Sequence, residues 1–115
     1  MTPMITESLV LPSPAPATGT NYVRVILPPE GALVAAYARN ATRGWGVVEL
    51  RIGGISSPIE DPAGVILKRE SQGAASVGVP WTGQLDLGPS LRVLVATFLD
   101  CQIGDSLVVS AGVSK

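Results

Sequence analysis

Apolar and polar positions alternate along much of this chain with a period of two, and the runs that carry the alternation are short. From Tyr22 onward they are broken by Pro28-Pro29-Glu30-Gly31, Asn40-Ala41-Thr42-Arg43-Gly44, Gly53-Gly54, Ser56-Ser57-Pro58, Asp61-Pro62-Ala63-Gly64, Gly88-Pro89-Ser90 and Gly104-Asp105. Such punctuation is the spacing of β-strands and turns. It predicts strands over Tyr22–Leu27, Ala32–Ala38, Gly46–Ile52, Gly64–Lys68, Ala74–Val79, Gln84–Leu87, Leu91–Leu99 and Ser106–Ala111. No window of about a dozen residues combines a 3.6-residue period with freedom from Gly and Pro, which argues against helices. The expected fold is all-β, an antiparallel β-sandwich or jelly roll of about seven to eight strands with an extended N-terminal arm.

The alternation also sorts faces. Val48, Leu50 and Ile52 fall on one face of their strand, and Val47, Glu49 and Arg51 on the other, which is a wet face with Val47 as its exception. In Leu91–Leu99 both faces are apolar: Leu91, Val93, Val95, Thr97 and Leu99 on one, Leu94, Ala96 and Phe98 on the other. A sandwich strand meets the core with one face only, so a loop, an arm or a second subunit is expected to cover the other. Asp100 to Asp105 is expected to turn the chain back and pair this strand with Ser106–Ser110. Residues 1–20 differ, because Pro3, Pro12, Pro14 and Pro16 alternate with small residues. They read as an extended arm laid along a neighbouring subunit, with residues 21–115 forming the sandwich domain.

Composition narrows the function classes. The 115 residues are 46% hydrophobic and only 15% charged, with 13 Gly, 10 Pro and no His. A net charge of −1 leaves no basic excess to hold a phosphate backbone, so nucleic acid is not an expected partner. A mean hydropathy of +0.39 in a domain this small points to apolar surface covered by other subunits. One cysteine, Cys101, and no basic leader before the run Leu9-Val10-Leu11 fit folding in a reducing compartment. The longest uncharged stretches carry Pro, Gly and polar residues, and no membrane-spanning helix is expected.

Catalytic chemistry finds little footing. Without His there is no Ser-His or Cys-His pair, no Gly-x-Ser-x-Gly elbow occurs, and Asp100 and Asp105 beside Cys101 discourage a thiolate. The acid pairs Glu60-Asp61 and Asp100/Asp105 lack the spacing of a Ca²⁺ loop and read as turn residues. Gly44-Trp45-Gly46 lacks a third glycine for a nucleotide loop. No catalytic residue, metal ligand, cofactor or small-molecule substrate is expected. Trp45 and Trp81 stand out because a tryptophan beside Gly or Pro can serve as core, interface anchor or sugar platform. The interface candidates are Leu9, Val10, Leu11, Trp45, Trp81, Leu94 and Phe98, with Arg39, Arg43, Lys68 and Arg69 as rim charges.

The Pro-rich arm, the strand ending in Leu27-Pro28-Pro29-Glu30-Gly31 and the closing run from Phe98 to Val109 together resemble the small jelly-roll decoration, or cement, proteins of tailed bacteriophage capsids. The likeness covers the whole chain in layout and rests on no diagnostic motif. It implies a structural virion protein, no enzyme, that binds the major capsid protein lattice and stabilises the shell as a homo-oligomer, most often a homotrimer. It also implies assembly in the host cytoplasm and residence on the capsid surface. The competing readings are another virion β-module (tail, baseplate or fibre) and a carbohydrate- or ligand-binding sandwich that uses Trp45 or Trp81.

Overall fold

In the computed structural model, placement is described for residues 4–7, 13–15, 18–44, 46–54, 65–89 and 91–114, as backbone alone at 4–7 and 13–14. These residues form strands and no helix: β1 (Met4–Glu7), β2 (Ser13–Pro14), β3 (Gly19–Ile26), β4 (Ala32–Asn40), β5 (Val47–Gly53), β6 (Val65–Ser71), β7 (Val79–Asp86), β8 (Val93–Cys101) and β9 (Ser106–Ser114). One sheet runs β1-β9-β4-β7, with β2 also on β9, and the other runs β3-β8-β5-β6. Every pairing is antiparallel. The pairs nest: β5 with β6, β4 with β7, β3 with β8, and β1 and β2 with β9. Among these strands from β2 onward, only β5 and β6 pair with their sequence neighbour, so the other connections pass between sheets. The sandwich is therefore wound as a jelly roll.

Period-two patterning builds the core. Val48, Leu50 and Ile52 of β5 face inward at 1%, 0% and 0% exposure, as their alternation predicts. They join Val23 and Val25 of β3, Leu33, Ala36 and Ala38 of β4, Leu94, Ala96 and Phe98 of β8, and Leu107, Val109, Ala111 and Val113 of β9. In β4 the inward positions change phase because the register slips between Leu33 and Ala35. That bulge lets both Leu33 and Ala36 reach the core.

Four expectations are corrected. First, Ala74–Val79 and Gln84–Leu87 are not separate strands. Ala74–Val77 forms a turn closed by Val77 N–H donating to the Ala74 carbonyl at 3.0 Å, and one strand, β7, runs through Pro80 and Gly83. A proline survives there because, among the described residues, β7 is the last strand of its sheet and one row of its amides has no ladder partner to satisfy. Second, β8 and β9 do not form a hairpin. Both edges of β8 are taken by β3 and β5, and residues 102–105 carry the chain across to the opposite sheet.

Third, the outer apolar face of β8 is flanked by its own sheet. In register, Val95 lies between Arg24 and Arg51, Thr97 between Tyr22 and Glu49, and Val93 between Ile26 and Gly53. The apolar stems of Arg24 and Arg51 flank Val95. Val93 and Val95 are 1% and 4% exposed within the single chain, so no second subunit is needed to cover them. Fourth, the described parts of residues 1–20 pair in cis. Met4–Glu7 lies against Ala111–Ser114 and Ser13–Pro14 against Ser106–Leu107, so the segment closes the free edge of its own β9.

Phe98 is the largest fully buried side chain among the described residues. Phe98→Ala is expected to cost about 3–5 kcal/mol, read as a lower urea midpoint at unchanged slope. A cost below about 1 kcal/mol would remove Phe98 from the core.

Candidate functional site

Two features stand apart from the core: a polar cluster at one end of the sandwich and an apolar outer sheet face. The cluster forms where β4, β6 and β8 end and β9 begins. Asn40 closes β4 with an Asx turn, its Oδ1 accepting from the amides of Thr42 at 3.1 Å and Arg43 at 3.0 Å. Gln72, just past β6, clamps the Asn40 backbone from both sides. Its Oε1 accepts from Asn40 N–H and its Nε2 donates to Asn40 C=O, each at 2.8 Å.

Asp105 joins the remaining loop. One carboxylate oxygen accepts from Gln102 N–H at 2.9 Å, Asn40 Nδ2 at 3.1 Å and Arg43 Nε at 3.2 Å. Ala15 pairs with the same turn, donating to the Asp105 carbonyl and accepting from Gly104 N–H. Gly104 sits at a φ of +89°, which is why glycine occupies the third position of this turn. The turn presents Ile103 at its tip, 72% exposed. Burial of Asp105 works against its charge, but the bonds from Gln102, Asn40 and Arg43 outweigh it and hold the carboxyl below its ordinary value. Beside it, burial pushes the Cys101 thiol up, and the Asp105 charge adds to that. A buried thiol of raised pKa is a packing group, as expected for this cysteine.

The two outer faces differ in charge. On the β3-β8-β5-β6 sheet the outward positions include Arg24, Glu49, Arg51 and Arg69, with Arg51 and Glu49 ion-paired. On the other sheet the central outward positions are Ala35 and Tyr37 of β4, Val108, Ser110 and Gly112 of β9, and Pro80 and Thr82 of β7, with the charged Arg39 and Asp86 only at the two ends. Small residues in the middle leave a shallow apolar hollow of about 230 Å³, lined by Ala35, Tyr37, Pro80, Thr82, Ser110 and Gly112 among others. A second hollow, of about 250 Å³, lies at Pro28–Gly31. Each is smaller than the 300–1,000 Å³ of ordinary ligand pockets. Among the described residues no group of three or more His, Cys, Asp or Glu could hold a metal ion, and no helix is long and apolar enough to cross a membrane.

Of the interface candidates, Leu94 and Phe98 are fully buried between the sheets, at 0% and 1% exposure, where no other subunit can reach them. Their alternation placed them on one face, and the choice between core and interface was made when the other sheet closed over it. Trp81 is half-buried on the inner side of β7, packs against the core and folds its ring over Gly83. Leu9, Val10, Leu11 and Trp45 lie outside the described residues. That Asn40, Gln72 and Asp105 meet is not visible in the sequence, because they are 32 to 65 positions apart and each reads alone as an ordinary turn residue.

No protein-family model matches the chain, and no curated protein matches it significantly. Among solved structures, similar ones include the K3 cleaved adhesin domain of Lys-gingipain from Porphyromonas gingivalis, at 12% identity and a TM-score of 0.48 over 97% of this chain and 71% of that one. The K1 adhesin domain of the same protein aligns at 15% identity and a TM-score of 0.44, over 85% and 64%. The VP2 subviral particle of infectious bursal disease virus aligns at 12% and 0.38, over 99% of this chain but 32% of that one. Viral capsid and bacterial adhesin structures are thus both among the neighbours, at a likeness that carries no argument about function.

Asp105→Asn is expected to lower stability at pH 7 by about 2–3 kcal/mol, because it removes a charge that three donors converge on. A carboxyl whose folded pKa is depressed stabilises above its unfolded value of about 3.8 and loses that contribution as pH falls through the folded value. The gap between wild type and variant should therefore narrow below pH 4 in urea titrations. A gap that stays constant down to pH 2 would show that the carboxylate charge is not what holds the loops.

Proposed function

We propose that this chain is a capsid decoration protein, a structural module that binds a major capsid protein lattice as a homo-oligomer and acts through surface rather than through a reaction. The observation that carries the reading is the amount of apolar surface the fold leaves open. Ile26, Val65, Ile66, Val77 and Ile103 are each half or more exposed, and one outer sheet face is apolar at its centre. Exposed apolar patches on a folded domain mark places where another molecule sits. The resemblance in layout supports a shell lattice as the kind of partner, with the virion surface as the site of action after assembly in the host cytoplasm.

Physical requirements point the same way. A rivet between shell subunits needs area, shape and rigidity, and the Asn40-Gln72-Asp105 cluster supplies rigidity by tying three inter-sheet connections at one end. The sugar-binding alternative needs a flat, open aromatic, whereas Trp81 leans on the core and on Gly83.

The test is co-sedimentation of the purified protein with expanded capsids that lack it, alongside its native mass by light scattering. Saturable binding by an oligomer is the expected result. A protein that stays in the supernatant at micromolar concentration would end the decoration reading.

A further inference from the structure

We infer that the outer face of the β1-β9-β4-β7 sheet seats the same face of a second copy of this chain, the two being related by a twofold axis that crosses the strands at Ala35–Ala36. This deepens the homo-oligomer part of the proposed function and rests on it.

The inference comes from where the few charges of that face lie. Arg39 points outward at one end of β4, opposite Val108 of β9. Asp86 is exposed and points outward at the other end of β7, opposite Ala32 of β4. Between them run Ala35, Tyr37, Pro80, Thr82, Ser110 and Gly112, none of them charged. The face is thus positive at one end, negative at the other and apolar between. Such a pattern is complementary to itself when two copies meet with their strands running in opposite senses.

Register makes the match specific. Asp86 sits beside Ala32, and Arg39 is seven positions further along the same strand, about 23 Å away at the usual rise. The midpoint of Ala32 and Arg39 is Ala35–Ala36, which is where the apolar hollow opens. A twofold axis there lays Arg39 of each copy over Ala32 of the other, one strand spacing from Asp86. An arginine side chain spans that spacing of about 4.8 Å. The twofold brings the Asp86 carboxylate of the other copy toward the guanidinium end of Arg39, and symmetry makes the pair twice.

The area is that of a modest dimer. Three strand columns, β9, β4 and β7, at about 4.8 Å and a run of about 27 Å, with the short β1 beside them, give roughly 450 Å² of flat footprint per copy. Relief of the side chains raises that toward the roughly 600 Å² per partner at which stable interfaces begin. The opposite sheet differs in having Arg24, Glu49, Arg51 and Arg69 spread across its outward positions rather than charges confined to two ends.

Charge reversal and its rescue test the arrangement, read as native mass by light scattering at micromolar protein and low salt. Wild type is expected at twice the 11.8 kDa chain mass. Arg39→Asp and Asp86→Arg are each expected to weaken association about tenfold or more, and the double reversal to restore it. Urea midpoints check that each variant folds; should Arg39→Asp fail to, Asp86→Arg on the exposed edge strand and the double variant still decide. If both single variants keep the wild-type oligomer, or the double variant fails to recover it, the face assignment falls while the homo-oligomer reading stands. A mass of three chains overturns the twofold in the same way. A wild type that stays monomeric at 100 μM removes both.

Discussion

Burial of one carboxylate at the end of the sandwich is the interaction on which the winding of the two sheets depends. In a nested arrangement most connections leave one sheet and enter the other, so the sheets are tied through loops rather than through shared hydrogen-bond ladders. Asp105 lies on the connection from β8 to β9, Asn40 and Arg43 on that from β4 to β5, and Gln72 on that from β6 to β7. A buried charge without partners would be strongly destabilising, yet here every donor that meets it comes from a crossing loop. The result is a polar cluster that is satisfied only when three separate crossings are all in place.

Once the sheets are tied, the division of surfaces follows from alternation. Inward positions supply a core of Leu, Val, Ile, Ala and a single Phe. Outward positions differ between sheets for a reason visible strand by strand: β3, β5 and β6 place charges outward, whereas β4 and β9 place mainly small or apolar residues there. The sheet whose outer face is apolar at its centre also takes the N-terminal segment on its β9 edge, which leaves β7, with Pro80, as its border among the described residues. A proline there blunts the border against further strand addition. That border is thereby closed to strand addition, while the face beside it is not.

Several elements were legible before the structure. The strands at Tyr22, Ala32, Gly46, Gly64, Leu91 and Ser106 all exist, with boundaries that shift by a few residues, because a period of two in Val, Ile, Leu and Ala is a local property. β7 was not legible as one strand, since Pro80 and Gly83 are breakers anywhere except on an edge, and the edge is defined by which strands lie elsewhere. The polar cluster was hidden for a similar reason. Asn40, Gln72 and Asp105 each carry a turn's chemistry, and nothing in their separate neighbourhoods says that they meet.

Local patterning already sets that the chain makes strands and which residues share a strand face, because both depend on neighbours one to three positions away, and composition alone makes charge scarce. Only the tertiary structure decided that the strands nest into a jelly roll, that β8 and β9 belong to opposite sheets, that the N-terminal segment closes its own chain's edge and that Leu94 and Phe98 are core. Those choices depend on which edges remain unpaired after every strand has been placed. That is a property of the whole set of pairings, and it is absent from any single window of residues.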